Sequence, residues 1–468
     1  MTCGTADAEV WLNGLYDVER TGRMGSPTLV RIAALVEALD HPERSYQVVH
    51  VTGTNGKGST SVMAAALLHA TGLRVGLYTS PHLEHPTERI ALDGRPLTSE
   101  QLWAAIAAVA DAAGRAGISP TWFEAMTAAG LWWFRESAVD VAVVEVGMLG
   151  RWDATNVVHG DIAVVTNVAL DHADVAGPTL AHIAAEKAGI IEEGATLVLG
   201  KTDPELRELF EREQPGRVLA SGGELVWSGR RSLGLSGQVV DLHTPWAAHV
   251  GVSIGPVGIH QCDNALLAVG AAEALLGTAL PEPALGNLAP LTIPGRMELL
   301  AHRPTIVVDG AHNPAGAAAL RAALAELDAE HAVGSPRILL SGMLGGRDPK
   351  EYLRALDASW FDLVIATEPP SPRALPASEL AESARAVRPA SATSPAGPVI
   401  VEPAVDAALA LARESADADG FVIGAGSLYL VASLHTFTSA LVGSRRAQRA
   451  NRRRHPAPSS PPEQGRRV

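Results

Sequence analysis

Short apolar runs rich in β-branched residues alternate with longer stretches rich in alanine and leucine through the first part of the chain. Such alternation predicts strands joined by crossover helices and therefore a parallel sheet. In a sheet of this kind the functional loops follow the carboxyl ends of the strands. The predicted strands are Tyr46–Val51, Arg74–Thr79, Val139–Val146, Ile162–Val168 and Thr196–Leu199.

The pattern changes further along the chain. Polar and apolar positions alternate between breaks at glycine over residues 217–254, which predicts antiparallel strands, and a helix is predicted over Gln261–Leu276. Prolines crowd residues 281–294, as expected at a domain boundary. A second series then predicts a smaller doubly wound sheet, with strands Thr305–Val308, Arg337–Leu340, Leu363–Thr367, Val399–Val401 and Phe421–Ile423.

We therefore expect an α/β protein of two domains. The first covers residues 1–293 and includes a small antiparallel portion at about 217–254, and the second, Rossmann-like, covers residues 294–443. Residues 444–468 are rich in arginine and proline and have almost nothing apolar to bury, which predicts a disordered tail. A solvated tail without a fixed role is favoured over one that touches nucleic acid or an acidic partner.

Composition narrows the class of protein. The chain has 468 residues, 47% of them hydrophobic, which suits two or three domains. Its net charge of −14 argues against binding to nucleic acid. Only Cys3 and Cys262 are present, so no disulfide framework is expected. There is no basic and apolar leader and no run of the ~18 apolar residues that a membrane span needs, so we expect a cytoplasmic protein without a membrane partner.

The segment His50–Thr60 carries the most chemistry, because a β-branched strand passes through a glycine-rich turn directly into an alanine-rich helix. Glycines let backbone N–H groups approach an anion, the helix start adds partial positive charge, and Lys57 adds a full charge. This arrangement predicts a nucleoside triphosphate with Mg²⁺. The common phosphate-loop pattern has a glycine where this chain has Val51, so a tight turn with a solvated Lys57 is the alternative.

Polar side chains also follow three other predicted strands. Ser80 and His82 follow the second, Glu145 ends the third, and Asp171 and His172 follow the fourth. Hydroxyl and carboxylate oxygens are ligands for Mg²⁺ besides phosphate and water, although imidazole is unusual for this ion. Each side chain alone has a structural alternative, but their common placement beside the phosphate loop favours a site for a metal-bound nucleotide.

Eight motifs in chain order make the sequence resemble the folylpolyglutamate synthase and dihydrofolate synthase family of the Mur ligase superfamily, over roughly residues 10–435. The motifs are TGTNGKGS at 52–59, TSPHL at 79–83 with ERI at 88–90, GRWDATN at 150–156, DH at 171–172, EKAGI at 186–190, HQ at 260–261 with NA at 264–265, PGR at 294–296 and DGAHNP at 309–314. The resemblance implies a P-loop-type ATPase domain followed by a Rossmann-like domain. It also implies an ADP-forming ligase, in which ATP phosphorylates a carboxylate and the amine of an amino acid displaces the phosphate.

Roles at matching positions are implied as well. Catalysis involves Lys57, Glu145, His172, Lys187 and His312. ATP is bound by Asn55, Gly56, Lys57, Gly58, Ser59, Asn264, Arg296 and Asp309. Mg²⁺ is held by Ser80, Glu145 and His172. By the same resemblance, the pocket for a pteroate-like acid is lined by Thr121, Phe123, Asp153, Ala154 and Thr155.

Lys187 has two interpretations. In relatives the matching lysine is carbamylated to N6-carboxylysine and steadies the metal site. From the residues alone, Glu186 and Lys187 on an alanine-rich helix would form a solvated ion pair worth less than about 1 kcal/mol. Only a neutral amine reacts with CO₂, so the modified form requires burial that lowers the pKa of the lysine.

The identity of the substrates is less determined by the sequence. No spacing identifies a site for glutamate, and Arg89 or another cation could pair with its carboxylates. Relatives usually have a glycine where this chain has Leu149, and an acid–lysine–acid triplet where it has Gly346-Arg347-Asp348. Because of these two differences, the sequence does not identify the acid substrate.

Our main hypothesis is a Mg-ATP-dependent ligase that joins L-glutamate to dihydropteroate, to a reduced folate or to both, and that acts as a monomer on small molecules. One alternative is a related amide ligase of specialised metabolism that uses a different aromatic acid. Another is a nucleotide-gated binding protein without turnover. The presence of Lys57, Glu145, His172, Asp309 and His312 together argues against this last alternative, because a binding module need not retain metal and reaction-side groups.

Overall fold

The computed structural model of the protein describes residues 4–22, 28–171, 173–388 and 397–438. The predicted tail and His172 lie outside these residues. Three sheets of eight, three and six strands organise the described part of the chain. The strands are β1 (Gln47–Thr52), β2 (Val75–Tyr78), β3 (Ile90–Leu92), β4 (Arg95–Pro96), β5 (Val141–Glu145), β6 (Ile162–Val165), β7 (Thr196–Leu199), β8 (Arg217–Ala220), β9 (Val226–Ser232), β10 (Gln238–His243), β11 (Ala248–Ile254), β12 (Glu298–His302), β13 (Thr305–Asp309), β14 (Arg337–Ser341), β15 (Leu363–Ala366), β16 (Val399–Val401) and β17 (Phe421–Ala425).

Helices cover the faces of the two larger sheets. Both predicted series of strands are found, and each strand end lies within three residues of its predicted position. Among the described residues, no helix is long and apolar enough to cross a membrane. The helices are α1 (Thr5–Gly14), α2 (Val18–Thr21), α3 (Val30–Ala38), α4 (Lys57–Ala70), α5 (Ser99–Ala116), α6 (Trp122–Glu136), α7 (Ala173–Ala176), α8 (Leu180–Ala188), α9 (Pro204–Glu211), α10 (His260–Leu276), α11 (Glu282–Leu285), α12 (Pro314–Ala329), α13 (Pro349–Ala355), α14 (Ala377–Val387), α15 (Val405–Ala416) and α16 (428–438).

The eight-stranded sheet has the order β4-β3-β2-β5-β1-β6-β7-β8. The five predicted strands in its middle run parallel to one another, whereas β3 and β4 form an antiparallel edge. Its strands are buried on both faces and almost continuously apolar, as a covered parallel sheet requires. The carboxyl ends of β5, β1 and β6 are therefore neighbours at one edge of the sheet.

The small sheet β11-β10-β9 is antiparallel, as predicted, but it begins later than expected. The prediction that antiparallel pairing starts at Arg217 is wrong, because β8 pairs parallel to β7. The helix α9 between those two strands supplies the crossover that parallel pairing needs. The small sheet contacts the second half of the chain through Arg230, whose guanidinium donates to both carboxylate oxygens of Glu326 at 2.5 and 2.6 Å.

The six-stranded sheet has the order β12-β13-β17-β14-β15-β16 and is parallel except for β12 at its edge. Separate hydrophobic clusters cover its two faces, which confirms the doubly wound, Rossmann-like architecture. The division of the chain at residue 293 stays a prediction. The loop after β13 faces the loops at the carboxyl ends of β1 and β6, and this juxtaposition creates the site described next.

Candidate active site

A cavity of about 1610 Å³ lies between the strand ends of the two large sheets. It brings together the predicted site residues that the structure describes, with the exception of His82, Arg89 and Thr155. Thr155 is fully buried, and its hydroxyl donates to Asp153 at 2.6 Å and lies 3.0 Å from the ring of His50. Thr155 therefore supports Asp153 from behind and does not face the cavity.

The phosphate loop between β1 and α4 is held open by the end of β6. The N–H group of Asn55 donates to the side chain of Asn167 at 3.0 Å, and the hydroxyl of Thr166 donates to the carbonyl of Asn55 at 2.6 Å. Gly53 has a φ of 150°, and a Cβ there would collide with Thr166. Glycine is required at this position because the loop approaches its neighbour so closely.

Lys57 folds back over this loop at the start of α4. Its Nζ donates to the carbonyl of Gly53 at 3.1 Å and to that of Thr54 at 3.4 Å. Within the described residues it forms no salt bridge, and it lines the cavity. The lysine is therefore half-buried inside the loop, with its charge available to an anionic ligand.

Glu145 ends β5 beside the phosphate loop and is only 4% exposed. One carboxylate oxygen accepts the N–H group of Ser80 at 3.0 Å, and the other would lie 3.4 Å from a Cβ built on Gly58. Burial raises the pKa of Glu145, although the charge of Lys57 opposes this. A cation beside the carboxylate would stabilise its charged form, so Glu145 and Ser80 fit a magnesium site that is completed by phosphate oxygens and water.

The third predicted metal residue, His172, lies outside the described residues. Among the residues that the structure does describe, no group of three or more His, Cys, Asp or Glu side chains forms a ready metal site. Two described oxygen donors still suit Mg²⁺, because this ion is usually bound through one or two carboxylates plus substrate phosphates and several waters.

Contacts across the cavity connect the two sheets at Asn313, which precedes α12. Its amide nitrogen donates to Asn55 of the phosphate loop at 3.1 Å and to Asp171 at 2.9 Å. Asp171 also accepts from Arg347 at 3.1 Å, and it lies 3.5 Å from the ring of His312. From the sequence, Asp171 was expected only as one of the polar residues at the strand ends, and Asn313 had no predicted role, although both lie inside the motifs given above. The segment Gly346-Arg347-Asp348, where relatives usually have an acid–lysine–acid triplet, therefore takes part in the contact between the two sheets.

Asp309 ends β13 and shapes the loop that follows it. Its two carboxylate oxygens accept the N–H groups of Met297 and Ala311 at 2.9 and 2.8 Å. The guanidinium of Arg296 lies against Gly310 and, among the described residues, donates only to the carbonyl of Gly295 at 3.3 Å. Each oxygen of Asp309 can accept a second donor, so both side chains remain available to a nucleotide.

Lys187 on α8 is 3% exposed, which excludes the solvated pair with Glu186. Its Nζ has no hydrogen bond or salt bridge among the described residues. Burial and the charge of Lys57 lower the pKa of Lys187 well below its usual value, although Asp171 and Asp153 oppose this. This shift favours the neutral amine, which is the form that reacts with CO₂.

Residues of the predicted acid pocket line the same cavity. Thr121 begins α6 with a capping box to Glu124, and Phe123 follows it. Asp153 is 8% exposed and accepts the N–H groups of Met148 and Thr155 at 2.8 and 3.0 Å. Burial raises the pKa of Asp153.

Arg89 does not reach this cavity, so the expectation that it pairs with glutamate is wrong. It is 1% exposed and donates to both oxygens of Glu19 at 2.9 and 2.6 Å. Its Nε donates to the ring of His82 at 2.8 Å, and its guanidinium lies 4.7 Å from the ring centre of Trp122. Burial and the charge of Arg89 lower the pKa of His82 to about 4, so this ring is a neutral acceptor. The guanidinium of Arg89 is therefore engaged by residues of the protein itself and is not presented to a substrate in the cavity.

Fold and site together define a Mur ligase. The chain matches the Mur ligase middle domain over residues 123–272 and the Mur ligase, glutamate ligase domain over residues 295–428. The structure of Mycobacterium tuberculosis folylpolyglutamate synthase complexed with ADP covers 93% of this chain and 98% of its own, with 34% identity and a TM-score of 0.82. E. coli FolC in complex with DHPP and ADP covers 94% of this chain and 98% of its own, with 29% identity and a TM-score of 0.80.

The names of related protein sequences give a narrower family. Dihydrofolate synthase/folylpolyglutamate synthase of Mycobacterium tuberculosis is 38% identical over 76% of this chain and 77% of its own length. The protein of the same name from Escherichia coli is 33% identical over 75% of this chain and 80% of its own. The chain belongs to the dihydrofolate synthase/folylpolyglutamate synthase family.

Proposed function

We propose that the protein is an ATP-dependent, ADP-forming ligase that joins L-glutamate to dihydropteroate, to a reduced folate or to both. The observation that carries this proposal is the single cavity faced by the phosphate loop, the loop after β13 and the acid pocket. Relatives named for both activities and solved with ADP support it.

ATP binding would draw on both halves of the chain. Backbone N–H groups of the phosphate loop, together with Asn55, Ser59 and Lys57, would hold the phosphates at the start of α4. Asn264, whose amide lies against Gly56 of the phosphate loop, would hold the nucleotide together with Arg296 and Asp309 from the second half of the chain. Since these groups come from both sheets, the nucleotide itself favours closure of the cavity.

Phosphoryl transfer to the acid needs charge neutralisation and exclusion of water. Lys57 neutralises charge that develops on the transferred group. Bound Mg²⁺, held by Glu145, Ser80 and His172, would supply further neutralisation of the phosphates. His312 faces the reacting phosphate from the second sheet. Closure protects the acyl phosphate, which water hydrolyses readily, until the amine attacks.

Thr121, Phe123, Asp153 and Ala154 would orient the acid so that its carboxylate points toward the phosphate loop. We further infer that Lys187 carries CO₂ as N6-carboxylysine. The neutral amine forms an N–C bond to CO₂ and loses a proton to solvent, which replaces a buried amine with an anion beside Lys57. That charge would steady the metal-bound phosphates.

Arg373 is the best-placed cation for the carboxylates of glutamate. Among the cations of the cavity that the structure describes, Arg31, Lys201 and Arg347 already have carboxylate partners. The guanidinium of Arg373 donates only to the backbone carbonyl of Glu19, at 3.2 Å. Arginine binds carboxylates in a bidentate manner, so the substitution Arg373→Gln should raise the KM for glutamate several-fold and leave the KM for ATP unchanged.

The deciding experiment measures phosphate release from ATP by the full chain with Mg²⁺, L-glutamate and one acid at a time. Release with dihydropteroate or a reduced folate, together with formation of the glutamylated product, is the expected result. Release only with a different aromatic acid would replace the proposed substrate. Nucleotide binding without release with any acid would instead indicate a binding protein.

A further inference from the structure

Leu149 has a backbone conformation that leucine rarely adopts. Its φ is 65°, in the left-handed region that normally belongs to glycine. Hydrogen bonds on both sides maintain it: the hydroxyl of Thr52 donates to the carbonyl of Leu149 at 2.6 Å, and the preceding N–H group, of Met148, donates to Asp153 at 2.8 Å. Strain that the surroundings hold in place is concentrated at functional sites.

The side chain of Leu149 is buried without belonging to a core. It is 8% exposed, yet among the described residues it is in none of the five hydrophobic clusters. It lines the cavity instead, beside Met148 and Trp152. An apolar side chain in this setting is placed to contact a ligand.

The position of Leu149 along the cavity follows from its two neighbouring glycines. A Cβ on Gly147 would collide with the ring of Phe123, and a Cβ on Gly150 would lie 3.0 Å from the Cα of Lys187. Leu149 therefore lies between the acid pocket and α8. Its hydrogen bond to Thr52, the last residue of β1, places it next to the phosphate loop. The carboxylate end of the acid must pass this point to reach the phosphates.

We propose that Leu149 is a specificity-determining residue that favours an acid whose carboxylate is carried directly by an aromatic ring. The inference rests on the proposed function and deepens it. A ring packs against leucine without loss, whereas a glutamyl residue would bring an amide and a second carboxylate against an apolar side chain. Burying such polar groups without partners is unfavourable. The chain would thus prefer dihydropteroate-type acids to acids that already carry glutamate.

Binding is the direct test, because it does not depend on turnover. Calorimetry on the full chain in the presence of ADP and Mg²⁺ would measure the Kd of pteroic acid and of pteroylglutamate. The wild type should bind pteroic acid more tightly. In Leu149→Gly the ratio of the two Kd values should shift toward pteroylglutamate by about tenfold or more, as expected when a site that excludes a group is opened.

Two further variants separate the side chain from the backbone. Leu149→Asn keeps the branch at Cγ, replaces the two methyl groups with an amide and tolerates the left-handed conformation. It should therefore also shift the ratio toward pteroylglutamate, and it answers the question if the glycine variant does not fold. Ala138→Gly relieves a φ of 49° at an exposed position that does not line the cavity, so it should leave the ratio unchanged.

A ratio within about twofold of the wild type in both Leu149 variants would overturn the proposal, and so would tighter binding of pteroylglutamate by the wild type. Failure of the proposed function looks different. In that case phosphate release would be absent with dihydropteroate and with reduced folates, whatever the ratio of the two Kd values.

Discussion

Lys187 and Arg89 are both almost completely buried, but their surroundings are opposite. Lys187 is 3% exposed and has no hydrogen bond or ion pair among the described residues. Arg89 is 1% exposed and is surrounded by Glu19, His82 and the ring of Trp122. From the sequence, Arg89 or another cation could pair with the carboxylates of glutamate. The structure shows that, of these two buried residues, only Lys187 is left without a partner among the described residues.

The difference indicates which part of the site is prepared for ligands. A buried charge with all its partners stabilises the chain by itself, and removing one partner is costly. A buried amine without partners is tolerated only in its neutral form, or when something from outside the chain completes it. The region around Lys187 and Lys57 is therefore where we propose that phosphate, metal or CO₂ binds, whereas Arg89 already has its partners within the protein.

The largest effect is expected at Lys57. The variant Lys57→Ala should lower turnover by about 100- to 1,000-fold, because the lysine serves charge that develops during phosphoryl transfer. Its melting temperature should hardly change, since the side chain contributes little to a core. Phosphate release and thermal unfolding of the same preparations would check both statements. The exposed Lys350→Ala is the matched control, and wild-type turnover in Lys57→Ala would remove this lysine from the mechanism.

A somewhat smaller loss of turnover, about 100-fold, is expected for Lys187→Met. Stability should be maintained or increased, because an apolar side chain of similar length replaces an unpaired buried amine. Since the folded state lowers the pKa of the unmodified lysine, the free energy of unfolding should rise with pH between the folded and unfolded pKa values, and this rise should be lost in the variant.

The modification itself has a separate readout. Carbon-13 NMR of protein in labelled bicarbonate should show a carbamate resonance in the wild type and none in Lys187→Met. Absence of the carbamate resonance in the wild type, together with full turnover of the variant, would show that Lys187 has no role in the reaction and would remove the contrast with Arg89.

For Arg89→Met the loss of stability is expected to be larger than the loss of turnover. Loss of the guanidinium should lower the free energy of unfolding by about 3 kcal/mol, because Glu19 and His82 lose their shared partner. Glu19→Gln should cost less, since the side chain of Glu19 is 31% exposed and water can replace part of the interaction. Urea unfolding of both single variants and the double variant would give the coupling energy.

The surface pair Arg207 and Glu211, 2.7 Å apart, provides the control for that measurement. Its removal should cost less than about 0.5 kcal/mol, as is usual for exposed pairs four residues apart on a helix. Equal losses for Arg207→Met and Arg89→Met would show that burial adds nothing to the inner pair.

The contrast between these regions also separates what the sequence could predict from what it could not. Periodicity predicted ten of the eleven parallel strands in the described residues, and their ends indicated where Glu145 and the phosphate loop would meet. The eleventh, β8, was expected to be antiparallel. The edge strands β3, β4 and β12 were missed, because two to five residues carry too little pattern. Arg89 was misassigned because its partner Glu19 lies 70 residues away, and Asn313 was missed because its contact with Asn55 spans 258 residues. Local patterns predict elements and strand ends, but only the packed chain shows which charges are already satisfied.

His435 is a third case, because its ring forms ion pairs only when it is protonated. Its ring lies 3.1 Å from Glu84, which follows the Ser80 segment, and 2.9 Å from Glu298 on β12. Burial opposes protonation, but the two carboxylates raise the pKa of His435 above its usual value.

A histidine with a raised folded pKa stabilises the protein fully below its unfolded pKa near 6.5, and the contribution disappears as pH rises through the folded value. The melting temperature of the wild type should therefore exceed that of His435→Gln by a few degrees at acidic pH, and the two should converge at alkaline pH. The effect is the smallest expected here because the ring is partly exposed and solvent screens the pair. The exposed His302→Gln is the control, and a difference between wild type and His435→Gln that stays constant with pH would mean that His435 contributes through packing and not through charge.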